Sequence, residues 1–458
     1  MDIGTISLIL LIGIFVLLAI GMPLGFASGF LAFAVLLMKF GPDLLFRSFG
    51  TGPLNILAQR MYGLMTDYVL ISVPLFIFMA CLLERSAIAK MMFDSLNVWL
   101  SRTRGGIAMV TAIMAVIMAA MSGIIGGEIV LLGLIALPNM LRLGYNQNLA
   151  IGTICASGSL GTMIPPSIVL IIYGLVTETS IYALFQAAFL PGFILAGCYL
   201  VYIFVRTRLH PEQAPLPEGG ADVTWGDKLR ALPGLLAPLA IVGVVLGSIY
   251  GGFTGITEAA GMGVIAVLLL IVLRGEMTWA LFKDALMRTW KSTGTILWIT
   301  FGATALAGAY SIAGGPQYVA GLIVGAELPT MGILIVMMLI LLFLGAIMDW
   351  VGIVLLVMPV FLPIVLKLPP AELGLTGALA AVPSFVAVWY GILFCVNMQV
   401  SFLSPPFGPA AFYLKSVAPP HITLPAIFRG FLPFIAIQLF VLSLVLFFPE
   451  ITMLFAPR

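Results

Sequence analysis

Four stretches of this 458-residue sequence could place bare oxygen atoms inside apolar segments. The first is Met121-Ser122-Gly123-Ile124-Ile125-Gly126-Gly127-Glu128, and the second is Ser157-Gly158-Ser159-Leu160-Gly161-Thr162, followed by Pro165 and Pro166. The third is Gly345-Ala346-Ile347-Met348-Asp349. The fourth is Asn397-Met398-Gln399, with Ser401 and Ser404 ahead of Pro405 and Pro406. Glycine lets a backbone leave helical geometry, and proline removes a donor so that a helix cannot simply run through. What remains is carbonyl, hydroxyl and amide oxygens with helix ends aimed inward. Oxygens of this kind, without Cys or His, suit a hard cation such as Na⁺, while half-helix N-termini attract an anion. At any single break the same small residues could serve only close helix packing. Four breaks in two matching pairs, with polar residues concentrated at them, favour a site. Glu128 and Asp349 follow the glycines of their breaks; each is either an ion or substrate ligand or the cap of a half-helix.

The elements that must carry these breaks are membrane helices. Only 8% of the residues are charged and 62% are hydrophobic, with a mean hydropathy of +1.21. A water-soluble globule could not cover its surface with so few charges, so soluble classes, nucleic-acid binders and disordered chains are excluded. Apolar blocks fall near 4–20, 24–40, 69–84, 106–141, 148–176 and 183–206. After a polar linker containing PEQAPLPEGG, a second set follows near 232–250, 254–273, 293–313, 331–366, 378–416 and 426–448. About 20 residues span a bilayer. The expectation is an all-α polytopic protein with a first repeat over 1–208, a cytoplasmic linker over 209–230 and a second repeat over 231–458. The first apolar run lacks a basic leader and an A-x-A site, so no cleavable signal peptide is expected. Cys81, Cys155, Cys198 and Cys395 lie in apolar segments and are expected to be small hydrophobes without disulfides.

The two sets resemble each other. ASGFLAFAVLL (27–37) matches AAGMGVIAVLL (259–269) at an offset of 232, and Cys155, Pro165, Pro166 and Tyr173 recur as Cys395, Pro405, Pro406 and Tyr413 at an offset of 240. If 106–141 and 331–366 are hairpins that enter and leave on one side, each half makes five crossings and the second is inverted. About ten crossings and two hairpins result. With the N-terminus outside, the loop at 85–104 is inside and holds Arg85, Lys90, Arg102 and Arg104, while its counterpart at 314–330 has no basic residue. That contrast obeys the positive-inside rule. Two stretches, 41–68 with Arg47 and Arg60, and 274–291 with Trp279 and Trp290, read as amphipathic helices lying in the interface or as ordinary loops. Glu258 reads as a helix-start residue capped by Thr257 or Thr254, Glu178 as an exposed turn, and Tyr173 and Tyr413 as interface anchors or part of a substrate path.

Catalysis is not expected. His210 and His421 lie outside the spans, so a hydroxyl at Ser122 or Ser157 lacks the usual general base. There is no G-x-x-x-x-G-K-[ST] phosphate loop.

The runs GTICASGSLGTMIPPSIVLIIYG (152–174), IMAAMSGIIGGE (117–128), GAIMD (345–349) and FLSPPFGPAAFYLKSVAP (402–419) together resemble the large membrane subunit of tripartite ATP-independent periplasmic (TRAP) transporters. The resemblance covers essentially the whole chain. It implies Na⁺-driven uptake of a small organic acid across the bacterial inner membrane by an elevator movement. It also implies two partners, a periplasmic substrate-binding protein and a small membrane subunit of about four helices. The family's sodium sites map onto Ser122, Gly123, Ser157 and Gly158 in the first half and Gly345, Asp349 and Asn397 in the second. Substrate is expected between them, near Ser122, Ser159, Thr162, Gln399 and Ser404. Two departures stand out: Ser401-Phe402-Leu403-Ser404 replaces a Gly-rich turn ending in Thr, and Glu128 stands where many members have Asp. A stand-alone sodium–carboxylate symporter of the divalent-anion type is the alternative.

Overall fold

The computed structural model describes residues 1–41, 52–100, 102–216, 223–325, 328–374 and 383–454. Helices form because hydrocarbon offers no hydrogen-bond partners, so each backbone segment must satisfy its own N–H and C=O groups. In chain order they are α1 (Ile3–Ala19), α2 (Leu24–Phe40), α3 (Pro53–Met65), α4 (Ser72–Arg85), α5 (Ile88–Leu100), α6 (Gly106–Ser122), α7 (Ile125–Arg142), α8 (Gln147–Ser159), α9 (Ile168–Thr177) and α10 (Ile181–Leu209). Then follow α11 (Trp225–Ala231), α12 (Pro233–Tyr250), α13 (Ile256–Leu273), α14 (Trp279–Ala313), α15 (Gly315–Val324), α16 (Thr330–Gly345), α17 (Trp350–Val365), α18 (Pro383–Leu403), α19 (Pro409–Lys415), α20 (Leu424–Phe447) and α21 (Glu450–Met453). Short 3₁₀ turns cover Tyr68–Ile71, Leu160–Thr162, Pro211–Gln213 and Pro370–Leu373. Eight stretches among the described residues are long and apolar enough to cross a membrane, α7 among them, and the shorter apolar helices of 10–17 residues are α1, α2, α6, α9, α16 and α17.

The repeat is visible in the helix boundaries. α2 and α13 begin 232 residues apart, at Leu24 and Ile256. The Pro165–Pro166 and Pro405–Pro406 bonds, 240 apart, are both cis. In each half a hairpin (α6–α7, α16–α17) precedes a broken helix (α8–α9, α18–α19). The two halves close on each other through residues without side chains. Gly302 of α14 lies against Gly25 of α2, and a Cβ on Gly25 would come within 2.7 Å of the Trp298 carbonyl.

Several expectations need correcting. The stretch 274–291 is not a separate interface helix: from Trp279 it is the first half of α14, which runs 35 residues to Ala313. At 1.5 Å per residue α14 is about 50 Å long, well beyond the hydrocarbon layer. Its amphipathic start, with Trp279 and Trp290 exposed, therefore lies in the interface while its end crosses. No proline separates the two parts, so one helix serves both. In the other stretch, Pro53–Met65 is helical, and Arg47 lies outside the described residues. Tyr173 is no interface anchor; it is fully buried and its hydroxyl donates to the Ala387 carbonyl at 2.8 Å. Tyr413 is 41% exposed, with its ring over Gly126. Glu258 does stand in the first turn of α13, but Gly255 is the N-cap and no threonine caps the helix. Thr257 donates instead to the Tyr68 carbonyl at 3.3 Å, and Tyr68 donates to Glu258 at 3.0 Å. Glu178 is an exposed turn residue in the left-handed conformation. His210, outside the spans as expected, is exposed and lies 3.3 Å from Glu212. All four cysteines are free.

Candidate functional site

The tip of the first hairpin is built by two residues. Gly123 ends α6 in the left-handed conformation (φ 65°), and Ile124 is extended and precedes α7. The turn leaves the first N–H groups of α7 free and aimed into protein. Glu128 sits in that first turn, where a carboxylate complements the helix dipole. It is 1% exposed, accepts a hydrogen bond from the Ser122 hydroxyl through Oε1, and leaves Oε2 without a partner. The broken helix presses on this tip. A Cβ on Gly158 would lie 2.7 Å from the Ile129 side chain, one on Gly161 would lie 2.7 Å from Glu128 Oε1, and one on Gly123 would lie 2.6 Å from the Pro166 carbonyl. Only glycine permits these approaches.

The second break begins later than its sequence suggests. Ser157 and Gly158 are still in α8, which ends at Ser159. A 3₁₀ turn and the cis proline pair follow before α9 starts. Ser167 closes the interruption: its hydroxyl donates to the Thr162 carbonyl and accepts from Leu170 N at 3.3 Å, capping α9. Ser157 is fully buried and its hydroxyl has no partner. The hydroxyls of Ser159 and Thr162 donate to carbonyls of their own segment, those of Ala156 (2.8 Å) and Ser159 (3.0 Å).

In the second half the expected break at Asn397–Gln399 does not exist. Both residues lie within the continuous helix α18, and the interruption falls at Ser404–Gly408 around Pro405 and Pro406. The physical reason is that amides do not break helices, whereas the proline pair does. Asn397 is nonetheless fully buried. Its Nδ2 donates to the Met338 carbonyl of α16 at 2.9 Å, and its Oδ1 has no partner. Ser401 donates to the Asn397 carbonyl at 3.2 Å and packs against Gly345 of the hairpin. Ser404 turns its hydroxyl back to the Val400 carbonyl at 2.8 Å. Asp349 does not join this cluster. It is exposed and caps α17, accepting from Val351 N at 3.4 Å.

The two halves meet at Thr162 and Gln399. Gln399 Nε2 donates to Thr162 Oγ1 at 2.7 Å, and Cys395 Sγ approaches the Thr162 carbonyl at 3.1 Å. Gln399 Oε1 is also unpartnered. Of the eleven buried side-chain polar atoms without a partner among the described residues, four acceptors, on Glu128, Ser157, Asn397 and Gln399, lie on the hairpin tip and the broken helices. Ser157 and Asn397 are repeat mates at the 240 offset. Buried polar atoms are rarely left so, and clusters of such acceptors suit a cation that is not part of the resting protein.

Sequence reasoning missed Glu84. It ends α4, is half-buried, and its carboxyl group lies against Gly127, beside Glu128. Close by, Asp284 of α14 pairs with Arg85 (2.7 Å) and Arg288 (3.0 Å). An acid at the end of an apolar run before Arg85 looks like an ordinary helix terminus. Only the tertiary fold puts it at the hairpin tip.

Known proteins share this architecture. A crystal structure of the Alcanivorax borkumensis YdaH transporter, described as having an unusual topology, aligns over 92% of this chain and 91% of its own with a TM-score of 0.57 at 16% identity, a likeness of fold. The C4-dicarboxylate TRAP transporter large permease protein DctM of Pseudomonas aeruginosa is 29% identical over 422 residues, covering 92% of this chain and 91% of the relative. The ectoine/5-hydroxyectoine TRAP transporter large permease protein UehC of Ruegeria pomeroyi is 30% identical over 447 residues, covering 96% of each. These relatives are transporter permeases rather than enzymes, and with the apolar helices they make the chain a multi-pass inner-membrane protein. The profile of the tripartite ATP-independent periplasmic transporter DctM component matches residues 11–451, and the chain belongs to that family.

Proposed function

We propose that this chain carries out Na⁺-coupled uptake of a small organic acid, handed over by a periplasmic binding protein, with the hairpins and broken helices moving as an elevator against the remaining helices. The observation that carries this reading is the pair of unpartnered buried oxygens at repeat-related positions, Ser157 Oγ and Asn397 Oδ1, each on a helix that packs against the hairpin of its own half. Hard oxygens of this kind match Na⁺, which is cargo here. Ser122, Gly123, Ser157 and Gly158 form the first ion site; Gly345 and Asn397 form the second, with the exposed Asp349 acting as a helix cap. The acid binds between them, near Ser122, Ser159, Thr162, Gln399 and Ser404, and its arrival displaces the Thr162–Gln399 bond. Pro165, Pro166, Pro405 and Pro406 keep the broken segments from closing into helices.

The relatives' names span a C4-dicarboxylate and ectoine, so the acid is defined here only by class. The family description is tripartite, which supports a binding protein and a small membrane subunit of about four helices as partners. The deciding experiment is uptake of radiolabelled carboxylates into proteoliposomes under an imposed Na⁺ gradient, with and without both partners. Uptake that needs Na⁺ and both partners is the expected result. Uptake by the chain alone points to a stand-alone sodium–carboxylate symporter.

The basic residues support an N-terminus in the periplasm. In a Cys198→Ser background, Lys90→Cys, at an exposed position on α5, is expected to react with a membrane-impermeant maleimide only after the cytoplasmic side is opened. Labelling of intact cells reverses the orientation.

A further inference from the structure

We infer that the groove between α10 and α20 is a binding site for an anionic phospholipid. The groove encloses about 940 Å³ and runs from Gly197 and Pro433 to Arg206, His210 and Gln213. Its walls are apolar and open outward: Val201 is 62% exposed and Phe440 59%. Gly197 contributes space, since a Cβ there would meet nothing within 4 Å. From Gly197 to His210 the helix rises about 20 Å, enough for one acyl chain, since half the hydrocarbon layer is about 15 Å.

The polar end fixes the headgroup class. The Arg206 guanidinium lies 5.6 Å from the Tyr202 ring, bonds the Tyr202 hydroxyl and donates to Gln213 Oε1 at 2.7 Å. Among the described residues no carboxylate lies within ion-pair distance of Arg206, and the nearby Glu212 lies 3.3 Å from His210 instead. Neutral partners orient Arg206 without cancelling its charge, so donors remain for a phosphate, which arginine binds bidentately. An apolar trough ending in uncompensated guanidinium fits a phosphate diester on an acyl chain. A basic pocket between membrane helices is the general form of such a site.

The groove carries its own probe. Cys198 lines it, whereas the other three cysteines are buried. In the delipidated full chain in detergent, alkylation of Cys198 is followed by intact mass with phosphatidylglycerol, phosphatidylcholine or glycerol phosphate added. Phosphatidylglycerol is expected to slow alkylation several-fold more than phosphatidylcholine, and glycerol phosphate to have no effect. Arg206→Gln is expected to reduce the anionic preference about fivefold, as about 1 kcal/mol per arginine implies. Gly197→Leu, whose Cβ would meet nothing within 4 Å and whose longer side chain would occupy the trough, is expected to lower the phosphatidylglycerol retained on purification and so tests the site should Arg206→Gln fail to fold. Equal protection by both lipids, or protection by glycerol phosphate alone, overturns the proposal, as does unchanged preference in both variants.

Discussion

Gly123→Ala is expected to abolish uptake and to lower the melting temperature of the purified protein, while Gly261→Ala leaves both near wild type. Gly123 holds φ at 65°, a conformation that costs an L-residue roughly 1–2 kcal/mol. The added methyl would also lie 2.6 Å from the Pro166 carbonyl, a backbone atom that cannot rotate away as a side chain would. Neither side can yield cheaply. The Pro166 segment is tied down by Ser167, bonded to Thr162 on one side and Leu170 on the other. The hairpin is held by Gly158 against Ile129. The sum should exceed about 3 kcal/mol, placing the change among the severe single substitutions. Gly261 is the control, because its Cβ would meet nothing within 4 Å. Alanine there gains helix propensity of up to about 1 kcal/mol. Melting curves and proteoliposome uptake on both variants check the pair; wild-type behaviour of Gly123→Ala would show that the hairpin tip is not packed on the broken helix.

How far the sequence discloses such a site depends on whether the signal is local. The Pro-Pro pairs mark the interruptions because a missing donor acts within its own turn, and the helices do break there. Gly123 and Gly345 mark the hairpin tips for the same reason. Asn397 and Gln399 mislead: their polarity suggests an unwound segment, yet α18 runs straight through them. A buried amide can be satisfied from another helix, as Asn397 is by Met338 of α16, and no sequence window contains that partner. Asp349 is open to both readings in the sequence, since an intramembrane acid can be a cap as readily as a ligand, and the fold shows the cap on α17. Glu84 is illegible because its role lies in contact with Gly127, 43 residues away. Periodicity likewise cannot tell two helices from one long one, so α14 is divided in the sequence and continuous in the fold.

Asn397→Ala and Ser157→Ala are each expected to raise the Na⁺ concentration needed for half-maximal uptake while leaving expression intact. The argument turns on which bond each variant removes. Ser157 Oγ has no protein partner, so alanine removes nothing that the resting structure uses. Asn397 loses one hydrogen bond, that to Met338, worth about 1 kcal/mol to stability. If these oxygens bind Na⁺, each variant also loses a charge–dipole contact. A hydrogen bond to a charged group, of about 1.5–3 kcal/mol, is the nearest measure of it, giving roughly a 10- to 100-fold loss of apparent Na⁺ affinity. A structural role alone would lower the yield of folded protein and the maximal rate at unchanged Na⁺ dependence. Asn397→Asp separates the two readings further, because it keeps an oxygen toward the site but removes the amide donor to Met338; Na⁺ dependence should be retained better than in alanine even as stability falls. The double variant tests the symmetry itself. Ser157 and Asn397 belong to different halves, so two separate ions predict Na⁺ effects that add on a logarithmic scale, whereas one shared ion predicts that the second substitution costs less than the first. Unchanged Na⁺ dependence in both single variants would remove these two oxygens from the ion path.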